Sequence, residues 1–140
     1  MDYNLDRFIK AQEKDYDKAY REIKMGKKET HWMWYIFPQL KDLGFSQTAK
    51  YYGIENIEEA KSYYNNEYLR NNLISICKEI LLIDDEIENI FGYPDYLKLQ
   101  SCITLFELVD NNEKVFKNVL EKFFSNQRDT NTLEIINDML

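Results

Sequence analysis

The chain has 140 residues, the length of one domain that buries roughly two-thirds of the surface its unfolded form exposes. A formal charge of −7 argues against a nucleic-acid backbone or an anionic membrane as the main partner, because either needs a cationic face, and an apolar fraction of 44% with 15% aromatics excludes a disordered chain. No stretch approaches the roughly eighteen apolar residues of a membrane span. The opening MDYNLDRF is charged, unlike a signal peptide, and the two cysteines, Cys77 and Cys102, each sit in an apolar helical pattern. A cytoplasmic protein with reduced, buried thiols is expected.

In chain order, Leu5, Phe8, Ile9, Gln12, Tyr16, Ala19, Tyr20 and Ile23 fall at helical spacing, with Asn4 available as a cap and Gly26 just past the end. Lys24, Lys27 and Lys28 follow as the densest basic patch, which reads as a solvated loop. Beyond the segment His31–Leu40, Ser46 is placed to cap a short helix that Gly53 stops. Asn56, with Glu59 three residues later, suggests a capping box for another helix through Tyr64. Leu69, Leu73, Ile76, Cys77, Ile80 and Leu81 make a long stripe, and Asp84 to Phe91 adds a turn or two before Gly92. Asp95, after Pro94, is expected to cap a helix carrying Leu97, Ser101, Thr104, Leu105 and Leu108. Val115 to Phe124 forms a further stripe, and Thr130 or Asn131 starts a last one with Leu133, Ile136 and Leu140. Strand-like alternation survives only over Trp32 to Phe37. The expectation is an all-α, single compact domain over residues 1–140, with six to eight helices and short connections.

Two stretches concentrate the chemistry. HWMWYIFPQL, His31 to Leu40, holds the single histidine, both tryptophans and one of two prolines. Read as helix or as strand its apolar residues point all round, so it is either a core segment or the wall of a pocket. With one histidine and no CxxC, a zinc site lacks its ligands, and no metal or cofactor is expected. The second stretch is FGYPDYLKLQSCITLF, Phe91 to Phe106. A cap at Asp95 would leave the amides of Tyr96, Leu97 and Lys98 at a helix start that favours an anion, and Lys98, Ser101, Cys102 and Leu105 are neighbours on that helix. A snorkelling lysine beside a back-bonded serine accounts for the same pattern. Nucleophilic catalysis by Ser101 or Cys102 would require His31 to be brought close by the fold. There is no Walker loop and no GxGxxG.

The motifs F-x-x-x-Q at Phe8–Gln12, G-K-K-x-x-H-W-M-W-Y-I-F-P-Q at Gly26–Gln39, Y-G-I at Tyr52–Ile54, G-x-P-D-x-L-K-L-x-S at Gly92–Ser101 and T-L-F at Thr104–Phe106 span nearly the whole chain. In them the sequence resembles a bacterial family known as domain of unknown function 1810, some members of which are mislabelled calpastatin. The resemblance implies a mainly helical fold and no particular activity. The family pattern has serine and methionine where Cys102 and Ile103 stand, which counts against a nucleophilic Cys102. The matched polar residues suggest that the two stretches meet in one pocket.

The expected function is binding of a small ligand that carries phosphate and a ring, of the nucleotide or ADP-ribose kind. Trp32, Trp34 or Tyr35 would stack on the base, Lys98 would take the phosphate, and Gln39, Ser101 and Thr104 would give further contacts. The enzymatic alternative uses His31 or Asp95 as general acid or base at a glycosidic or phosphoester bond. A third reading is an interaction module whose acidic surface meets a basic protein.

Overall fold

The structure is a computed structural model and describes residues 3–140. Among them the chain forms α1 (Asp6–Lys24), α2 (Met33–Ile36), a 3-10 turn (Lys41–Leu43), α3 (Gln47–Tyr52), α4 (Ile57–Asn65), α5 (Glu67–Ile80), α6 (Ile87–Phe91), α7 (Asp95–Val109), α8 (Lys114–Phe123) and α9 (Thr130–Met139). The all-α class stands. The described residues carry nine α-helices against the about six to eight expected, and the element that pattern reading did not place is α2. Its strand-like alternation is one turn of helix, in which Trp32, Met33, Tyr35, Ile36 and Phe37 are all buried because neighbours cover the run on several sides.

Capping chemistry sets most boundaries. Ser46 and Asn56 accept from the amides of Ala49 and Glu59, as their spacing predicts. The return half of the second cap is shifted by one residue, since Glu59 Oε1 accepts from the amide of Glu55. Asn4 does not cap α1: Leu5 occupies that position without a side-chain bond, and the Asn4 carbonyl accepts from Arg7 instead. At the other end of α1 the amides of Gly26 and Lys27 return to the carbonyls of Ile23 and Glu22, with Gly26 at φ +87°, a conformation that side-chain-bearing residues rarely adopt.

Helix α7 is the centre. Residues 101–106 are buried without a break, so it has no solvent face there, and α4, α6, α8 and α9 pack around it. On the other side α1 lies against α5 and against α2. Buried Gln12 joins these layers: its amide donates to the Tyr35 carbonyl (2.7 Å) and the Tyr63 hydroxyl (2.9 Å), and its oxygen accepts from Asn72 (3.0 Å). Leaving any of these groups unpaired would cost about 1–3 kcal/mol. Both cysteines are free and fully buried. No helix of the described residues is long and apolar enough to cross a membrane.

Between Gln39 and Ile54 the backbone makes an excursion. An isolated parallel bridge pairs Leu40 with Ile54, through Lys41 N to Ile54 O (2.8 Å) and Ile54 N to Gln39 O (2.9 Å). The 3-10 turn and α3 lie between, and neither contributes a buried side chain.

Candidate functional site

The excursion, α2 and α7 meet at a cleft. Met33, Trp34, Phe37 and Gln39 form one wall, Ala49, Tyr52 and Gly53 the opposite one, and Lys98 stands at the rim. The empty space among these residues, open solvent included, is about 250 Å³, and it has room for about one water. Lys98 Nζ sits 5.9 Å from the Trp34 ring centroid, so the two stretches singled out by sequence do converge here.

Lys98 is held by a relay of charges. Asp95 Oδ2 pairs with Lys28 Nζ at 2.9 Å, and Asp95 Oδ1 faces Lys98 Nζ at 3.6 Å. Lys28 is fixed: its side chain is 7% exposed, it donates to the Thr30 carbonyl (2.7 Å) and it lies 5.0 Å from the Trp32 ring centroid. Lys98, 29% exposed and at the longer distance, is held loosely. A partly solvated pair of that kind contributes about 0–1 kcal/mol, so Lys98 can exchange Asp95 for a ligand anion at little cost. The set of two lysines and one aspartate leaves one positive charge at the rim.

The loop that carries Lys28 is fixed from below by Glu22. Its carboxylate accepts from the amides of Glu29 (2.7 Å) and Thr30 (3.0 Å), from the Thr30 hydroxyl (2.5 Å) and from the Trp32 indole (3.0 Å). Burial opposes ionisation of Glu22, but these donors outweigh it and hold the carboxyl down at about 2.

The other residues expected at the site fall elsewhere. Trp32 is fully buried, with Phe37 and Phe91 against its ring, and is core rather than a stacking surface. Tyr35 is buried behind the cleft; its hydroxyl donates to Asp15 and its ring packs on Tyr52 at 5.1 Å. His31 is exposed and does not line the cleft. Asp95 does not cap α7: Pro94 precedes the first turn, following a cis peptide bond, and the amides of Tyr96, Leu97 and Lys98 return to the carbonyls of Gly92 and Pro94. The anion site expected at that helix start therefore has no free amides at those three positions. Ser101 and Thr104 point to α9. Ser101 Oγ donates to the Leu97 carbonyl and to Asp129 (both 3.1 Å), while Thr104 donates to the Gln100 carbonyl (2.8 Å) and accepts from the Asp129 amide (3.0 Å).

Of the expected site residues, Trp34, Gln39 and Lys98 share the cleft, with Asp95 behind Lys98. Sequence reasoning missed Lys28, which is buried rather than solvated, and the opposite wall at Tyr52 and Gly53. The motifs G-K-K and Y-G-I were the signals for both.

A small all-helical domain with an aromatic-walled cleft and a lysine at its rim is the class that this architecture defines. The chain belongs to the family described as protein of unknown function (DUF1810), whose model matches residues 2–136. A solved structure, the conserved hypothetical protein Rv1873 from Mycobacterium tuberculosis, is similar over 96% of this chain and 97% of its own, with 36% identity and a TM-score of 0.94. No curated protein matches.

Proposed function

We propose that the protein binds a small ring-bearing anion at this cleft, a nucleotide of the ADP-ribose or cyclic-nucleotide kind, without transforming it. The observation that carries this reading is Lys98, a loosely paired cation at the open end of a cleft walled by Trp34 and Tyr52. The ring would lie against those aromatics at the mouth, Lys98 would take the phosphate, and the half-buried Gln39 side chain, which makes no hydrogen bond among the described residues, would read the ring edge.

Binding is favoured over hydrolysis or transfer because Asp95 Oδ2 is engaged by the fixed Lys28 and His31 lies outside the cleft lining. The free thiols agree with a reducing, cytoplasmic setting.

A thermal-shift panel of linear and cyclic nucleotides, ADP-ribose and NAD tests the proposal. A ligand at a hundred times its Kd adds about 2.7 kcal/mol, and Lys98→Ala abolishes the shift while keeping the unliganded melting temperature. Flat curves across the panel refute nucleotide binding. Turnover of a bound nucleotide by the intact protein refutes the non-catalytic part.

A further inference from the structure

We infer that residues 41–53 are a lid on the cleft, hinged at the Leu40–Ile54 bridge and latched by Arg7; its role in admitting ligand rests on the binding reading above, whereas the motion itself does not. As the cleft stands, it encloses room for about one water, too little for any ring. Seating a ring deeper than the mouth requires one wall to withdraw, and the two walls are built very differently. The wall at Met33 and Phe37 is core, buried to within 2%. The wall at Ala49, Tyr52 and Gly53 belongs to a segment without a buried side chain in its 3-10 turn or in α3, and Phe45 between them is 92% exposed.

Few attachments hold that segment down. Its base is the two-bond bridge at Leu40 and Ile54. Arg7, on α1, donates from Nε to the Tyr51 carbonyl (2.8 Å) and from Nη2 to the Gly53 carbonyl (3.1 Å). Arg7 is itself anchored in the body by a buried ion pair with Glu59 at 2.7 Å. Beyond these, the 3-10 turn touches α9, α3 touches α2, and the Tyr52 ring rests on Phe8 and Tyr35. Opening therefore breaks the two carbonyl contacts of Arg7, the contacts of Tyr52 with Phe8 and Tyr35, and the touches on α2 and α9, and it leaves the core at Leu40 and Ile54 intact, so that it is local to the segment.

The closed position requires glycine at the hinge. A Cβ on Gly53 would lie 2.4 Å from the Lys41 Cα, a backbone atom that cannot rotate away, so Gly53→Ala forces the two ends of the lid apart. Trp34 faces the cleft and Trp32 is sealed in the core, which gives the protein a reporter and an internal reference.

Acrylamide quenching of the tryptophan emission in the unliganded protein tests the lid, because Trp34 faces the cleft. Arg7→Lys keeps a positive charge beside Glu59 but loses the fork that holds the Tyr51 and Gly53 carbonyls, and quenching is expected to rise about twofold in it and in Gly53→Ala, with the amides in the interiors of α5 and α7 still protected from exchange. If quenching in both variants equals that of the wild type, the lid is refuted whatever the ligand panel gives. Raised quenching with a flat ligand panel leaves the lid standing and removes only the ligand assignment.

Discussion

Glu22 is a small residue-scale device with a large reach. One carboxylate gathers four donors from the loop after α1, and that loop carries Lys28 to Asp95. Because its folded-state value of about 2 lies below the ordinary 4.5, the stabilisation it gives is complete above about pH 4.5 and is lost as the pH falls toward 2. Urea midpoints measured across that window should fall more steeply in the wild type than in Glu22→Gln, whose neutral amide has no proton to gain there. Equal slopes would remove Glu22 from the acid response. Nothing in the sequence marks this glutamate, since two of its four donors are backbone amides and the Gly26 turn sets where all four lie. Lys28 was marked only by the G-K-K motif: its partner lies in the far half of the chain, and a lysine near two others reads as solvated until the fold brings Asp95 to it.

At the scale of elements, α7 and α9 are joined through one aspartate. Asp129 accepts from the amide (3.0 Å) and hydroxyl (2.5 Å) of Thr132 and from Ser101, and donates its own amide to Thr104. An N-cap is worth about 0.5–2 kcal/mol, and this one also satisfies a hydroxyl on a second helix, so Asp129→Ala should cost about 2 kcal/mol. In that background Ser101→Ala should add little, and chemical denaturation of the two single variants and the double variant reads the coupling. Additive losses would mean that Ser101 acts through its Leu97 bond alone. Local signals served well where a cap needs only its own helix, as at Ser46 and Asn56. They failed at Asp95, where the residue reaches across to lysines on two segments and the preceding Pro94 carbonyl takes the amides. Ser101 and Thr104 belong to the same failure: a hydroxyl on an apolar helix marks a polar contact without saying whether a ligand or another helix makes it.

For the whole molecule, the unbroken burial along α7 makes the core one cooperative unit. Leu99→Ala, at a position with no exposure, should cost about 2–5 kcal/mol and lower a single transition rather than split it. The thiols report on the same unit. Burial pushes both Cys77 and Cys102 well above their ordinary range, so neither supplies thiolate until the core opens. Labelling with a thiol reagent in rising urea should track the global transition, and labelling in native buffer at a rate independent of stability would show a separate route to these cysteines. The helical class and the membership of α1, α5 and α8 were legible in period alone, whereas the stripe expected on α7 through Leu97 and Leu108 was not the buried one, since both are exposed. The aromatic run was not, because a segment covered on several sides has no period to read: Trp32 went to the core and Trp34, two residues on, to the cleft.

The bridge between Leu40 and Ile54 also makes the segment it closes exchangeable. Its two ends are fixed side by side by the core, so the chain between them can change length or sequence without moving any other helix, and doubling a flexible loop costs only about 0.6 kcal/mol. One half of the cleft is thus a cassette on a constant frame that keeps Trp34, Gln39 and Lys98. Transplanting a relative's equivalent of residues 41–53 into this chain should leave the melting temperature of the host nearly unchanged, and a large drop would show that the frame depends on the segment.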